Sequence, residues 1–162
     1  MTEEISSFSS AGLMPDSRFD ADDLVDDIER AIYERGGVLN CEQFPVVHRF
    51  LPGMYIREIH MPAGAVLTSK IHKTEHPFVL TKGVVSVWSS NEGSVVYKAP
   101  HFGVTKPGTR RVLLVHEDAI WITFHAGTDE TVEEVEEKII EKRDNPRLQA
   151  ALERGNCVCL GD

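Results

Sequence analysis

Between Val46 and Ala126 the chain repeats one pattern. Short runs rich in Val, Ile and aromatic residues are each closed by Gly, Pro, Asn or Asp, with no helical period between them. In MYIREIHMPAG, Tyr55, Arg57, Ile59 and Met61 alternate with Ile56, Glu58 and His60, the period of a strand with two unlike faces, and Pro62–Gly64 makes a turn. Further strand candidates are HPFVLTKG, GVVSVWSS, GSVVYKAP, FGVTKPG, RVLLVHED and AIWITFHAG, with turns expected at Asn91–Gly93, Pro107–Gly108 and Glu117–Asp118. Many short strands with such punctuation mean an all-β core, an antiparallel barrel or sandwich. At 162 residues there is enough chain for one domain with a real core.

The flanks have a different period. In DADDLVDDIERAIYERGG, Leu24, Val25, Ile28, Ala31 and Ile32 fall at helical spacing, with Asp20 as the expected cap and Gly36 or Gly37 as the stop. After Gly127, TDETVEEVEEKIIEKRD reads as a second helix with a narrow stripe of Val132, Val135, Ile139 and Ile140, and PRLQAALERG as a short third. Residues 1–19 lack hydrophobic periodicity and read as disordered. The expected organisation is an arm and acidic helix over 1–43, the barrel over 44–126 and a helical arm over 127–162. The arms carry the acid: the whole chain has a formal charge of −9, whereas residues 45–125 are net basic and hold all seven histidines.

An acidic chain without an arginine-rich stripe argues against nucleic acid as a partner, and no apolar run reaches the roughly 18 residues that a bilayer requires. The polar, acidic start MTEEISSFSS is unlike a secretory signal, so synthesis in a cytoplasm is expected. Three cysteines, Cys41, Cys157 and Cys159, do not make an internal disulfide framework. They read as inert thiols, or as intermolecular crosslinks formed on reaching an oxidising medium.

The segment GAVLTSKIHKTEHPFVLTKG carries the chemistry. His72 and His76 are four apart among strand signals, so both imidazoles are expected to face the barrel mouth beside Lys70 and Thr74. His125 at the end of AIWITFH is positioned to join them, and His101 is a fourth candidate. Neutral imidazoles suit a divalent transition metal such as Zn, Fe or Ni; otherwise they hydrogen-bond one another and water. Lys70, Arg110 and Arg111, with Lys106, are candidate contacts for an anion such as a carboxylate or sugar acid, or else partners of the acidic arms. There is no phosphate loop, no Cys-x2-Cys knuckle and no catalytic Ser-His-Asp order.

This stretch resembles the first cupin motif, Gly-x5-His-x-His-x3,4-Glu-x6-Gly. Gly64, His72 and Gly83 fit; Lys70 stands at the first histidine and His76 at the Glu, with Glu75 one residue early. KPGTRRVLLV matches the second motif, Pro-x-Gly-x2-His-x3-Asn, at Gly108, with Lys106, Arg111 and Val115 in place of Pro, His and Asn. The resemblance implies a double-stranded β-helix, a jelly-roll barrel flanked by an N-terminal and one or two C-terminal helices. Together with YIREIHMPAG and EDAIWITFH, these motifs are similar to small cupin-domain proteins of tailed bacteriophages and prophages. That similarity implies a non-catalytic structural or assembly component of a phage particle, made in the host cytoplasm and carried on the virion. Its implied partners are further copies of itself and other particle proteins, with no nucleic acid or membrane contact. Because cations occupy two of the four usual ligand positions, no resident cofactor is expected on this reading. The alternative is a metal-dependent cupin enzyme, or a sugar- or small-molecule-binding cupin, built on the histidines.

Overall fold

The computed structural model describes residues 21–36, 44–90, 92–127 and 131–153. The readings for the N-terminal arm, Asp20, Gly37, Asn91, Cys41, Cys157 and Cys159 lie outside them. Among the described residues nine strands follow one another: β1 Val46–Leu51, β2 Met54–Met61, β3 Val66–Thr68, β4 Ile71–His72, β5 His76–Ser89, β6 Gly93–Lys98, β7 His101–Thr105, β8 Arg111–Ala126 and β9 Ile140–Glu141. The helices are α1 Ala21–Glu34, α2 Val132–Ile139 and α3 Pro146–Glu153.

Two long strands organise the barrel. β8 pairs β3 with its first half and β2 with its second, while β5 pairs β7 with its first half and β6 with its second. β5 and β8 also pair with each other, and β1 extends the sheet beyond β2. Every pairing is antiparallel, and the sheet wraps into the double-stranded β-helix, or jelly roll, of the cupin fold. No described helix is long and apolar enough to cross a membrane.

Two sequence expectations are corrected here. HPFVLTKG and GVVSVWSS form one strand, and RVLLVHED and AIWITFHAG form another, with no chain reversal at Glu117–Asp118. The reason is a bulge. Pairing of β5 with β8 shifts register between Leu80 and Val85, and Gly83 takes φ +90° there. A Cβ on residue 83 would sit 2.5 Å from the Asp118 carbonyl oxygen and 2.7 Å from that of Glu117, so only glycine permits the approach. What reads as turn chemistry in both strands bends them together.

The inward residues of the alternating strands make the core, with Ile59, Met61, Phe78, Leu80, Val115 and Trp121 all buried. Phe78 lies flat on Trp121, centroids 4.3 Å apart, and over the backbone of Gly103, where an added Cβ would meet the ring at 2.4 Å. The appendages dock differently from one another. α2 begins with a capping box between Thr131 and Glu134 and buries Val135 and Ile139 against Tyr55. It stops at Ile139, earlier than the sequence pattern suggests, because Ile140 and Glu141 pair with β4. α1 fully buries one apolar side chain, Val25, and beside it Asp26. Asp26 receives Arg110 at 2.9 Å and Arg143 at 2.6 Å, and Arg147 reaches Asp23 and Asp27, so α1 is held mainly by charge.

Candidate metal centre in the barrel

Three histidines arrive from three strands. His72 ends β4, held by that strand's pairing with β9 and by its own carbonyl, which accepts from the Gly108 N–H at 2.9 Å. His76 opens β5 opposite Thr105, and His125 closes β8 opposite Tyr55. The expectation that His72 and His76 share a face because they are four apart in one strand is corrected. Residues 73–75 form a bend, and the two rings meet because the chain turns between β4 and β5. Ring centroids are 4.3 Å apart for His72 and His76, 4.4 Å for His76 and His125, and 5.3 Å for His72 and His125. One nitrogen from each ring lies within 4.8 Å of the others.

Their surroundings keep these rings neutral. Burial, reinforced by the neighbouring imidazoles and Arg57, pushes His72 down to about 3 and His125 down to about 4; burial also lowers His76. His76 Nδ1 lies 3.2 Å from the Thr74 carbonyl, the contact that orients a ligating imidazole and leaves Nε2 for an ion. His125 Nε2 is 3.2 Å from Thr123 Oγ1, while its buried Nδ1 has no partner among the described residues. Leaving such a nitrogen unsatisfied costs about 1–3 kcal/mol. Three neutral imidazoles, two buried and one half-buried, one of them with an orphaned nitrogen, fit a divalent transition ion.

The cluster opens on a cavity of about 90 Å³ inside the barrel, lined also by Glu136 and Ile139 of α2 and by Ile140 of β9. Below the histidines its wall carries Arg57 and Arg111, and its floor is apolar, with Ile59, Leu113 and Trp121. At the rim Lys70 Nζ lies 2.5 Å from Glu136 Oε1. Lys70, the cation at a motif histidine position, is thus turned to a carboxylate instead of toward an ion. Arg111, at the other such position, donates from Nη1 to Thr105 Oγ1 at 2.7 Å and lies 5.3 Å over the Phe78 ring. Its buried Nε has no partner among the described residues. The two replacements therefore do not prevent three imidazoles from meeting, since His125 comes from outside both motifs.

The other candidates lie elsewhere. His101 stacks on Tyr97, centroids 4.2 Å apart, outside the histidine cluster. Arg110 points away from the cavity, bonded to Asp22, Asp26 and Glu29 of α1, and Lys106 pairs with Glu75 on the surface. Sequence reasoning did not single out Arg57, Tyr55 or Glu136. For Arg57 a signal was present: it is the one charged residue on the inward face Tyr55, Arg57, Ile59, Met61. The Tyr55 hydroxyl lies 2.7 Å from His48 Nδ1, in a hydrogen bond, and burial pushes the Tyr55 pKa up to about 12.

No family model matches the sequence, and no curated protein matches it. Solved structures do resemble the fold. An RmlC-like cupin family protein of Methanocaldococcus jannaschii superposes with a TM-score of 0.45 at 11 % identity, over 52 % of this chain and 81 % of that one. KdgF from Halomonas sp. gives 0.43 at 15 % identity, over 51 % and 77 %. Salicylate 1,2-dioxygenase from Pseudaminobacter salicylatoxidans gives 0.47 at 11 % identity, over 63 % of this chain but 32 % of the enzyme. At these identities the likeness is one of fold.

Proposed function

We propose that this protein is a metal-dependent cupin enzyme, in which His72, His76 and His125 hold one divalent transition ion facing the barrel pocket. One observation carries the reading: three imidazoles kept neutral by burial place ligand nitrogens within 4.8 Å of one another at the head of a cavity. Three protein ligands leave coordination positions open, the arrangement of catalytic rather than structural ions. A bound ion there supplies Lewis-acid polarisation of an oxygen donor on a small molecule. The chain's own contribution is orientation and exclusion. The Thr74 carbonyl and the Thr123 hydroxyl fix two of the rings, and Glu136 and Ile139 of α2 line the pocket beside them. The Tyr55 hydroxyl, protonated at neutral pH, packs its ring 5.9 Å from His125.

The test is metal content. Protein purified without a histidine tag from cells supplied with Zn, Fe, Mn and Ni is expected to carry about one equivalent of a single transition metal, as closed histidine sites do. His76→Ala with His125→Ala is expected to remove it. Less than about a tenth of an equivalent, with no rise in melting temperature on adding any of the four ions, would overturn the reading. The role of particle scaffold rests on the motif resemblance alone, and neither the fold nor the solved relatives favour it over the site.

A further inference from the structure

The pocket below the histidines is lined by two arginines, Arg57 and Arg111, that form no ion pair with any described residue. Arg111 is 6 % exposed, and its Nε meets no hydrogen-bond partner among the described residues. The Arg57 side chain, inward on β2, makes no hydrogen bond or ion pair to any described residue. Among the described residues of the cavity wall the one carboxylate, Glu136, is taken by Lys70 at the rim. Burying a guanidinium without a partner is costly, and where the barrel meets α1 the same protein pairs its buried Arg110 with three carboxylates. Arg111 lines the cavity with one hydroxyl contact and no carboxylate among the described residues, so its guanidinium is available to an anion that enters.

The register puts the two guanidinium-bearing residues at one level. Arg57 lies opposite Thr123, and Thr123 opposite Phe78, the ring on which Arg111 rests. Arg111 Nη1 reaches Thr105, which is itself opposite His76. The cavity is therefore layered, with imidazoles at the mouth, two guanidiniums at mid-depth, and Ile59, Leu113 and Trp121 at the floor. We infer that the pocket binds a small carboxylic acid, its carboxylate held by Arg57 and Arg111, its carbon chain on the apolar floor and a further oxygen directed at the histidine cluster. Planar guanidinium forks match a carboxylate. Inorganic phosphate would satisfy the charge but would leave the apolar floor uncovered. The inference rests on the metal reading only in giving the further oxygen to an ion; the carboxylate contacts are the chain's own.

Calorimetry on the full chain, metal-free and metal-loaded, tests it with 2-oxobutyrate, malonate, inorganic phosphate and the neutral 2-hydroxybutyramide. Both carboxylates are expected to bind at least tenfold more tightly than the amide and than phosphate. Arg57→Gln and Arg111→Met are each expected to weaken 2-oxobutyrate at least tenfold while leaving metal content unchanged. Arg111→Met should melt no lower than the parent without ligand, the reverse of what a structural arginine would do. If that variant does not fold, Arg111→Lys replaces it, with the fork lost and binding weakened at least tenfold. Equal binding of the amide, preference for phosphate, or parental affinity in Arg57→Gln would overturn the assignment, as would no binding of either carboxylate in both forms. Carboxylate binding in a chain that takes up no metal would overturn the metal reading and leave this one standing. A full equivalent of metal without carboxylate binding would do the opposite.

Discussion

Arg110 and Arg111 are neighbours in sequence, are buried to nearly the same degree at 5 % and 6 % exposure, and have opposite fates. Arg110 faces the belt between the barrel and α1, where Asp22, Asp26 and Glu29 surround it and Asn145 ties Glu29 to the turn before α3. Arg111 faces the interior, where it has one hydroxyl, one aromatic face and no carboxylate partner among the described residues. Strand alternation sends the two side chains to opposite faces, but it does not decide what each one meets. In the belt every buried cation is answered by acid from the flanking helices. In the barrel the cations are left to a ligand. The difference separates charge used as architecture from charge held for binding.

The sharpest way to break that contrast is Arg110→Met. Removing one member of a buried ion network strands the others, at a cost of about 3 kcal/mol. Urea denaturation of this variant should show a loss of that order, against a change within about 0.5 kcal/mol for Arg111→Met, near the ordinary scatter of neutral substitutions. Equal losses would mean that both arginines are structural and would erase the distinction.

His76→Ala probes the barrel side. Deleting one of three ligands should weaken transition-metal binding at least 100-fold, equivalent to about 2.8 kcal/mol at about 1.4 kcal/mol per tenfold. Competitive chelator titration measures it. The belt predicts no such effect, so metal affinity in Arg110→Met should match the parent once folded fractions are equal.

How much of this could be read beforehand follows the same division. The barrel was legible because alternation in β2 and the turn residues around each strand report local geometry. His72, His76 and His125 could be picked as candidates, since histidines among strands ending near one mouth are few. Their convergence depends on the bend at residues 73–75 and on the pairing of β4 with β9, long-range facts that no local period encodes. The unbroken β5 and β8 were missed for a related reason: Gly83 and the Glu117–Asp118 pair carry turn chemistry, and only the crossing of two strands turns it into a bulge. Arg57 was visible as a charge on an apolar face, but its lack of a partner is a property of the assembled cavity. Arg110 and Arg111 looked alike because adjacency conceals opposite faces.

Acid should expose the belt next. Burial would raise the Asp26 carboxyl, but hydrogen bonds and charge from Arg143 and Arg110 outweigh it and hold the group below its ordinary value of 3.8. A depressed carboxylate contributes stability that is complete above the unfolded value and is lost as pH falls below it toward the folded one. Urea midpoints measured from pH 5 downward should therefore fall below about pH 4 in the parent. Asp26→Asn, starting from lower stability, should lose that part of the slope. An unchanged slope in Asp26→Asn would show that other carboxylates carry the acid response.

The smallest effect is expected at the rim, where the two regimes meet. Lys70 and Glu136 form an ion pair between the barrel and α2, but their side chains remain 45 % and 39 % exposed. Pairs this open contribute about 0–1 kcal/mol, because water screens them and ordering two long side chains offsets the attraction. Glu136→Gln should leave the urea midpoint almost unmoved, since α2 is anchored by Val135 and Ile139 against Tyr55. Its consequence belongs to the pocket: without the carboxylate, Lys70 adds an unneutralised charge at the mouth, and a small anion should enter faster at low salt than it does in the parent. Stopped-flow association of 2-oxobutyrate at two ionic strengths measures this. A rim pair that proved worth several kcal/mol would move Lys70 into the class of Arg110, with α2 fastened as α1 is.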